Sequence, residues 1–280
     1  MKVSLITVCH NSAKTIQTTI DSVFMQRGVD VEYIVGDGSS TDGTVDIISR
    51  CSERAVGLGC HANVTFKWFS ASDRGMYDAL NRGLVLATGD VVGILNSDDV
   101  LASDDTLAKI AEAFEPPNAP NQEDVDCVYA DVRFVKGGDT VDAMRRAKTV
   151  RYCSAAWWRP WMFRFAAMAP HPSFYVRREW FERLGDYSLD YRISADFELE
   201  LRYLWLAKLR SRYIPECVVI MRMGGMSTAG WRSNVAINKE DLRALRMHGI
   251  WSCLPLISLK YIFKIWGFVF RRNGRSALRA

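Results

Sequence analysis

The chain has 280 residues, of which 49% are hydrophobic and 24% are charged, which is an ordinary globular composition with enough chain to bury a large core. Its formal net charge of +4 is too small to indicate a nucleic-acid partner. The seven cysteines are odd in number and include no C-x-x-C pair, which argues against a disulfide framework or a zinc site and favours a reducing compartment.

Residues 1–115 alternate short apolar runs with segments of helical period. The runs predict four strands, at 3–8, 31–35, 64–69 and 91–95. Helices are predicted between them, one behind the start signal Asn11-Ser12, one opening near Thr41-Asp42 and one carrying Tyr77, Leu80 and Leu84. This alternation is typical of a mostly parallel sheet with helices on both faces.

A polar cluster follows each of the four predicted strands. The clusters are His10-Asn11, Asp37-Gly38-Ser39, Asp73-Arg74 and Asn96-Ser97-Asp98-Asp99. Ligands of such sheets bind beyond the carboxyl ends of the strands, so the clusters predict a binding site at one edge. Each cluster alone is also explained by turns and helix caps, but capping does not require two adjacent aspartates.

The second half begins after a Pro-rich loop at 116–124. Apolar runs at 125–129 and 132–135 predict strands, with a turn between strands at 136–139. Aromatic residues then crowd around Pro160, and a helix is predicted from a Ser194 cap through Leu201 and Leu204.

The pair Asp98-Asp99 is the first candidate for chemistry. Adjacent carboxylates repel each other unless a cation or hydrogen-bond donors compensate, and oxygen-only ligands of this kind select Mg²⁺ or Mn²⁺. Such a cation would neutralise a leaving diphosphate. The alternative is a cap for a helix starting near Ser103, which explains one aspartate but not both.

The clusters at 37–39 and 73–74 suit a nucleotide. Asp37, Gly38 and Ser39 place flexible backbone beside a carboxylate and could grip a base edge or ribose, although an ordinary turn is the alternative. Asp73 could bind sugar or nucleobase and Arg74 a phosphate. Their alternative is a surface ion pair.

Two later residues are candidates for the other substrate. Asp196 lies in the first turn of the predicted helix, where the helix dipole keeps a general base ionised, although capping explains it equally well. His171, framed by two prolines, could contact an acceptor or phosphate or be a structural histidine.

Taken in order, these segments resemble the inverting family 2 glycosyltransferases of the GT-A fold, of the bacterial O-antigen and capsule type. The matching stretches are SLITVCHNS at 4–12, EYIVGDGSSTDGTVDII at 32–48, SDRGMYDALNRGLVLATGD at 72–90, VGILNSDD at 92–99, APHPSFYVRREWFERLG at 169–185 and YRISADFELELR at 191–202. The resemblance implies a Rossmann-like α/β domain at 1–228, with a donor half at 1–115 and an acceptor half at 125–228.

The resemblance also implies a role for each matching residue. Thr7, Asn11 and Asp37 would hold the nucleoside, with Ser39, Asp73 and Arg74 nearby. Asp98 would reach the ribose or diphosphate, Asp99 would coordinate the metal and Asp196 would deprotonate the acceptor. One departure is Ala195, where many relatives carry another carboxylate.

The implied activity is metal-dependent transfer of a sugar from a nucleoside-diphosphate sugar, with UDP the expected nucleotide, to a lipid-diphosphate-linked saccharide for surface polysaccharide. The alternatives are a sugar nucleotidylyltransferase, whose Gly- and Arg-rich phosphate loop is replaced here by Cys9-His-Asn-Ser12, and a non-catalytic nucleotide-binding protein. A dinucleotide oxidoreductase is disfavoured because no G-x-G-x-x-G opens the first helix.

Residues 229–280 predict a helical tail. From Trp251 onward it carries six basic residues and no carboxylate. The segment 250–270 contains Pro255, Lys260 and Lys264, so it predicts an interfacial helix with snorkelling lysines rather than a membrane span, and packing on the domain is the alternative. With no signal peptide apparent, we expect a cytoplasmic enzyme peripheral to the inner membrane.

Overall fold

Four parallel strands form the first half of the sheet in the computed structural model, which describes residues 1–56, 63–115, 124–224 and 231–261. They are β1 Lys2–Cys9, β2 Asp30–Asp37, β3 Val64–Ser70 and β4 Val91–Ile94, in the order β3-β2-β1-β4. All four predicted strands are thus confirmed, and their pairing is parallel throughout.

Successive side chains of β1 point into two different cores, which explains why apolar residues occur on both faces of this strand. Leu5 packs on the face covered by helices α1 Ile16–Phe24, α2 Thr44–Val56 and α4 Thr106–Phe114. Ile6 packs on the opposite face, which α3 Met76–Leu86 covers. Side chains of this size contribute about 1.5–3 kcal/mol each when fully buried.

The second half of the sheet is mixed. Its strands are β5 Val100–Leu101, β6 Cys127–Val135, β7 Thr149–Cys153, β8 Tyr175–Arg177 and β9 Ser211–Arg222, and the order continues β4-β8-β6-β9-β5 with β7 also on β6. β8 is antiparallel to β4 and β6, whereas β6 and β9 are parallel.

Two local predictions for this half were wrong. The apolar runs at 125–129 and 132–135 belong to one strand, β6, because Ala130 and Asp131 between them are also fully buried. The segment 136–139 leads into the short helix α5 Val141–Arg146 rather than directly into a strand, and the Thr140 hydroxyl caps this helix by accepting from Ala143 N–H.

The remaining helices contribute to the same core cluster as α3. They are α6 Glu179–Leu184, α7 Ala195–Glu200 with its π-helical continuation Leu201–Leu206, α8 Trp231–Met247 and α9 Leu254–Ser258. Two 3₁₀ segments, Pro160–Phe165 and His171–Ser173, precede them. α8 packs on α7, and α9 packs on Pro160–Phe165.

The tail is partly packed on the domain. Ile257 is fully buried, and Lys260 is only 6% exposed, with its Nζ 2.6 Å from the Asp241 carboxylate. The prediction that Lys260 snorkels to a membrane was therefore wrong, because a buried carboxylate neutralises its charge inside the protein. Lys264 and the arginines that follow lie outside the described residues. No helix within the described ranges is long and apolar enough to cross a bilayer.

Candidate active site

The parallel strands bring the polar clusters together at their carboxyl ends. Cys9, Asp37 and Ser70 are paired across β1, β2 and β3, so the loops after them begin side by side. His10 Nδ1 lies 2.9 Å from the Gly38 carbonyl oxygen, and Ser12 Oγ lies 3.2 Å from Ser97 Oγ. The cluster after β1 therefore contacts the clusters after β2 and β4.

Asp37 is a buried carboxylate at the centre of this edge. It accepts hydrogen bonds from Ser40 N–H at 3.0 Å and from the Ser70 hydroxyl at 2.7 Å. Burial would raise the pKa of Asp37, but the hydrogen bonds from Ser40 and Ser70 outweigh it and the pKa is lowered. The carboxylate is thus ionised and fixed.

The backbone beside Asp37 adopts left-handed conformations at Asn11 (φ 52°) and Ser39 (φ 58°). Asn11 joins the two loops, because its N–H donates to Ser40 Oγ at 2.7 Å and its Oδ1 accepts from Thr41 N–H at 3.0 Å. Non-glycine residues held in this region cost free energy and are concentrated at functional sites.

Thr7 does not present its side chain to this edge. It is fully buried, its hydroxyl donates to the Leu95 carbonyl at 2.7 Å and it accepts from the Tyr33 hydroxyl at 3.0 Å. The implied contact of the Thr7 side chain with a nucleoside therefore disagrees with the structure, in which the hydroxyl links β1 to the end of β4.

Asp73 approaches the loop after β2. A Cβ at position 38 would lie 2.6 Å from Asp73 Oδ2, so only glycine leaves room for this approach. Arg74 is not paired with Asp73. Its guanidinium lies 3.1 Å from Asp78 one helical turn on, and its side chain is 76% exposed and free to turn toward an anion.

Asp98 and Asp99 do not cap a helix. α4 begins only at Thr106, after β5, so capping is excluded as the reason for the double aspartate. Asp99 is 1% exposed, and its two oxygens accept from Asn96 Nδ2 at 2.8 Å and from Arg222 N–H of β9 at 3.1 Å. Asp98 is partly exposed.

The charge balance at this pair favours a cation. Burial raises the pKa of Asp98, and burial together with the Asp98 charge raises that of Asp99 to about 8. Ionising both groups is therefore costly unless a cation lies beside them, and carboxylate oxygens fit Mg²⁺ or Mn²⁺. No group of three or more His, Cys, Asp or Glu that could hold a metal occurs within the described ranges.

Asp196 is a half-buried carboxylate with one free oxygen. Its Oδ1 accepts from Phe197 N–H at 2.9 Å and lies 3.2 Å from the Tyr77 hydroxyl, which also donates to the closer Ile193 carbonyl. Its Oδ2 has no hydrogen-bond partner in the described residues. Burial raises the pKa of Asp196 to about 6, against the effect of both hydrogen bonds. Tyr77 belongs to α3, so this bond connects the candidate base to the helix after Asp73 and Arg74.

The segment before Asp196 is held by Glu240 of α8. The Glu240 carboxylate accepts from the backbone N–H groups of Arg192 at 3.2 Å, Ile193 at 2.9 Å and Ser194 at 2.9 Å. The predicted Ser194 cap forms no side-chain capping bond in the described structure. Glu240 instead holds the three N–H groups that lead into the helix.

We expect Glu240→Ala to lower turnover by about 10²-fold while leaving donor affinity unchanged, since a shift of about 1 Å at a catalytic group has that effect. Three N–H groups would lose their acceptor, so the free energy of unfolding should also fall by about 1–3 kcal/mol. Steady-state kinetics and chemical denaturation measure the two effects. Lys239→Ala, at an exposed neighbour on α8, is the control, and equal turnover of both variants would contradict the positioning role.

His171 is engaged through both ring nitrogens. Nδ1 lies 3.2 Å from Glu200 Oε1 and Nε2 lies 3.0 Å from the Tyr187 hydroxyl, and Tyr187 stacks on Tyr77. Burial raises the pKa of Glu200 to about 7. The geometry therefore favours a structural role for His171. Its imidazole connects Glu200 of α7 to Tyr187, whose ring stacks on Tyr77.

Three residues of the site were not singled out from the sequence. Tyr77 occupies the apolar face of α3 and reads as core, whereas Glu240 and Arg222 lie on elements distant in sequence. Only the adjacency of Tyr77 to Asp78 in a polar-rich segment after β3 offers a signal for it.

A mostly parallel sheet with carboxylates collected at its carboxyl edge, and a separate carboxylate on a helix of the second half, defines the GT-A class of glycosyltransferases. Residues 4–185 match the family model described as glycosyl transferase family 2. The chain belongs to this family and is a glycosyltransferase, which disfavours the nucleotidylyltransferase and non-catalytic alternatives.

Curated relatives agree with this assignment. A "PGL/p-HBAD biosynthesis glycosyltransferase" of Mycobacterium tuberculosis is 31% identical over 252 residues, which cover 87% of this chain and 84% of that protein. An uncharacterized glycosyltransferase of the same species is 29% identical over 204 residues, covering 71% of this chain and 68% of that protein.

Solved structures share the fold. TarS 1–349 of S. aureus in complex with UDP gives a TM-score of 0.59 at 16% identity, over 88% of this chain but only 65% of that one. The mannosyltransferase PcManGT of Pyrobaculum calidifontis, in complex with GDP-Man and Mn²⁺, gives 0.61 at 22% identity, over 95% and 72% of the two chains. At these identities the likeness establishes the GT-A fold.

Proposed function

We propose that the chain transfers a sugar from a nucleoside-diphosphate sugar to a saccharide hydroxyl in one displacement that inverts the anomeric configuration. The observation that carries this proposal is Asp196, whose Oδ2 has no partner among the described residues and is available to take a proton while Phe197 N–H holds Oδ1. UDP is the nucleotide we expect, and the sugar is left open.

The donor would lie along the edge formed by the loops after β1, β2 and β3. Asn11, Asp37 and Ser39 would bind the nucleoside, supported by the fixed, ionised Asp37 carboxylate. Asp73 and Arg74 would face the sugar or phosphates. Asp98 and Asp99 would hold a Mg²⁺ or Mn²⁺ ion, which when bound supplies positive charge to the leaving diphosphate.

In the reaction, Asp196 Oδ2 removes the proton of the acceptor hydroxyl while the oxygen of that hydroxyl bonds to the anomeric carbon. The bond from that carbon to the diphosphate breaks, and its electron pair leaves with the nucleoside diphosphate. Phe197 N–H holds Asp196 Oδ1, and the Tyr77 hydroxyl lies 3.2 Å from the same oxygen, which keeps the other oxygen in position during the transfer.

The acceptor we propose is a lipid-linked saccharide in surface polysaccharide or glycolipid synthesis, handled by a cytoplasmic enzyme at the inner membrane. Support comes from the curated relative named for PGL/p-HBAD biosynthesis and from the basic, aromatic C-terminal sequence. The division into a transferase domain at 1–228 and a tail at 229–280 stays part of this proposal.

The direct test is a panel of UDP-, GDP- and dTDP-sugars, with Mg²⁺, Mn²⁺ or EDTA, assayed for release of free nucleoside diphosphate. We expect metal-dependent release from one or a few donors, abolished by EDTA. Release unaffected by EDTA would contradict the metal assignment, and no release from any donor would contradict the transferase proposal.

The pH dependence follows from the raised pKa of Asp196. The base acts only when ionised, so kcat/KM should fall about tenfold per pH unit below about 6 and level off above it. Because the folded pKa exceeds the unfolded value of about 3.9, the stability that the protonated group contributes is lost as pH rises through 6. Asp196→Asn should therefore have a Tm at pH 8 no lower than that of wild type. The residual kcat/KM of this variant should not fall as the pH drops below about 6. An unchanged fall at acid pH would contradict the assignment of Asp196 as the base.

A further inference from the structure

The aromatic residues around Pro160 are divided between core and solvent. Trp158 is 5% exposed and Phe163 fully buried, and their rings contact each other at 5.4 Å between centroids. Trp157, by contrast, is 86% exposed and Trp161 55% exposed. The segment is thus anchored by its buried aromatics, and it presents two tryptophans to solvent that contribute nothing to the core.

Exposed apolar residues of two further elements adjoin this segment. α9 packs on Pro160–Phe165, and the Ser252 hydroxyl donates to the Arg164 carbonyl at 2.7 Å, which places Trp251 (73% exposed) and Leu254 (49%) beside it. On the other side the Arg164 guanidinium lies 5.7 Å from the Trp205 ring centroid, next to Leu206, which is 42% exposed. We call the set Trp157, Trp161, Leu206, Trp251 and Leu254 the tryptophan face.

A cleft opens within the same region. It has a volume of about 490 Å³ and is lined by Pro160, Leu204, Trp205, Lys208 and Leu209. Lys208 is the only charged residue of this lining. Exposed apolar residues gathered on three elements that pack together indicate an interaction site rather than scattered surface residues.

The segments that carry the face have charge of one sign. The described segments that build it, 143–178, 201–215 and 242–261, contain no aspartate or glutamate. Arg159, Arg164 and Lys208 are exposed within them. Tryptophan flanked by basic residues is the composition of membrane–water interfaces, where indole rings lie at the headgroups and cations attract anionic lipid.

We propose that the tryptophan face is the surface by which this protein docks on an anionic lipid bilayer. The inference rests on the proposed function for its purpose, which is to bring the acceptor half of the site to a lipid-linked saccharide. Residues 262–280 carry one lysine, four arginines and no carboxylate, and the segments of the face are also basic. Repulsion between like charges therefore disfavours both this segment and a second copy of the face as the partner that covers the face.

The test is co-sedimentation of the full-length protein with vesicles of phosphatidylglycerol and phosphatidylethanolamine, and with vesicles of phosphatidylcholine alone. The full chain is used because 250–261 packs on the domain. Wild type should bind the anionic vesicles more tightly and release them at high salt. The triple variant Trp157→Ser, Trp161→Ser, Trp251→Ser should lower the partition coefficient at least about tenfold, because three apolar side chains no longer insert. Arg159→Gln and Lys208→Gln should each lower it about fivefold on anionic vesicles.

The matched control is Val85→Ser with Met25→Ser, two exposed apolar residues on α3 and at the end of α1, which should bind like wild type. A full-length variant with Arg271, Arg272, Arg275 and Arg279 changed to glutamine measures the contribution of the C-terminal residues. Binding that is lost in this variant but unchanged in the tryptophan variant would overturn the inference, as would equal binding of wild type to both kinds of vesicle or no binding at all.

Nucleoside diphosphate release without vesicles, together with circular dichroism, separates this inference from the proposed function. Both should be unchanged in the tryptophan variant. Vesicle binding through the face without any release of nucleoside diphosphate would remove the transferase proposal and leave the docking surface. Normal release of nucleoside diphosphate without vesicle binding would remove the docking surface and leave the transferase proposal.

Discussion

Asp196→Asn is expected to lower the transfer rate at saturating donor by about 10²–10⁴-fold, the range that general-base catalysis contributes. Asparagine keeps an oxygen to accept from Phe197 N–H and Tyr77, so the local structure should persist. The substitution removes only the ability of the Oδ2 position to accept a proton. Single-turnover transfer measured at pH 8, where wild-type Asp196 is fully ionised, isolates this effect.

The control for this substitution is Asp190→Asn, an exposed carboxylate six residues earlier in the same segment. It should transfer at the wild-type rate. If Asp196→Asn instead transferred normally but bound donor weakly, the carboxylate would belong to donor binding and the proton acceptor would have to be sought elsewhere.

Asp99→Asn is expected to reduce metal-dependent turnover by about 10²–10³-fold or more, because it removes a charge that would hold the cation at the leaving diphosphate. The fold should be intact, since Asn96 and Arg222 N–H can bond to an amide once the Asn96 side chain turns. Turnover titrated with Mn²⁺ measures the loss. Asp105→Asn, at an exposed carboxylate next to α4, is the control, and an Asp99→Asn activity within a fewfold of wild type would remove the metal assignment.

The gathering of polar residues at one edge of the sheet was predictable because it follows from local patterns. Buried runs identify parallel strands, and polar residues at their ends must meet at one edge. The sequence therefore located Asn11, Asp37, Asp73 and Asp99 without any long-range information. The alternative that Asp99 caps a helix is excluded only by the structure, which places β5 between Asp99 and α4.

The acceptor side was less predictable because its geometry depends on contacts distant in sequence. Glu240 lies on an amphipathic helix where a carboxylate is normally solvated, and only tertiary packing places it at the N–H groups of 192–194. Lys260 reads as an interfacial lysine until Asp241, 19 residues earlier, is seen to neutralise it. The hydrophobic periodicity of a helix shows which of its faces is apolar. It does not show which charged residue of another segment a side chain of that helix will contact.

The measurement that tests the central claim most directly compares nucleoside diphosphate binding and sugar transfer in the same two variants, Asp99→Asn and Asp196→Asn. Calorimetry with the nucleoside diphosphate that the donor panel releases, with and without Mn²⁺, is paired with single-turnover transfer. We expect Asp99→Asn to lose the Mn²⁺-dependent part of binding, and Asp196→Asn to bind like wild type while transferring about 10²–10⁴-fold more slowly. Mn²⁺-dependent binding retained by Asp99→Asn, or lost by Asp196→Asn, would contradict the division of the site into a cation-held donor and a carboxylate base.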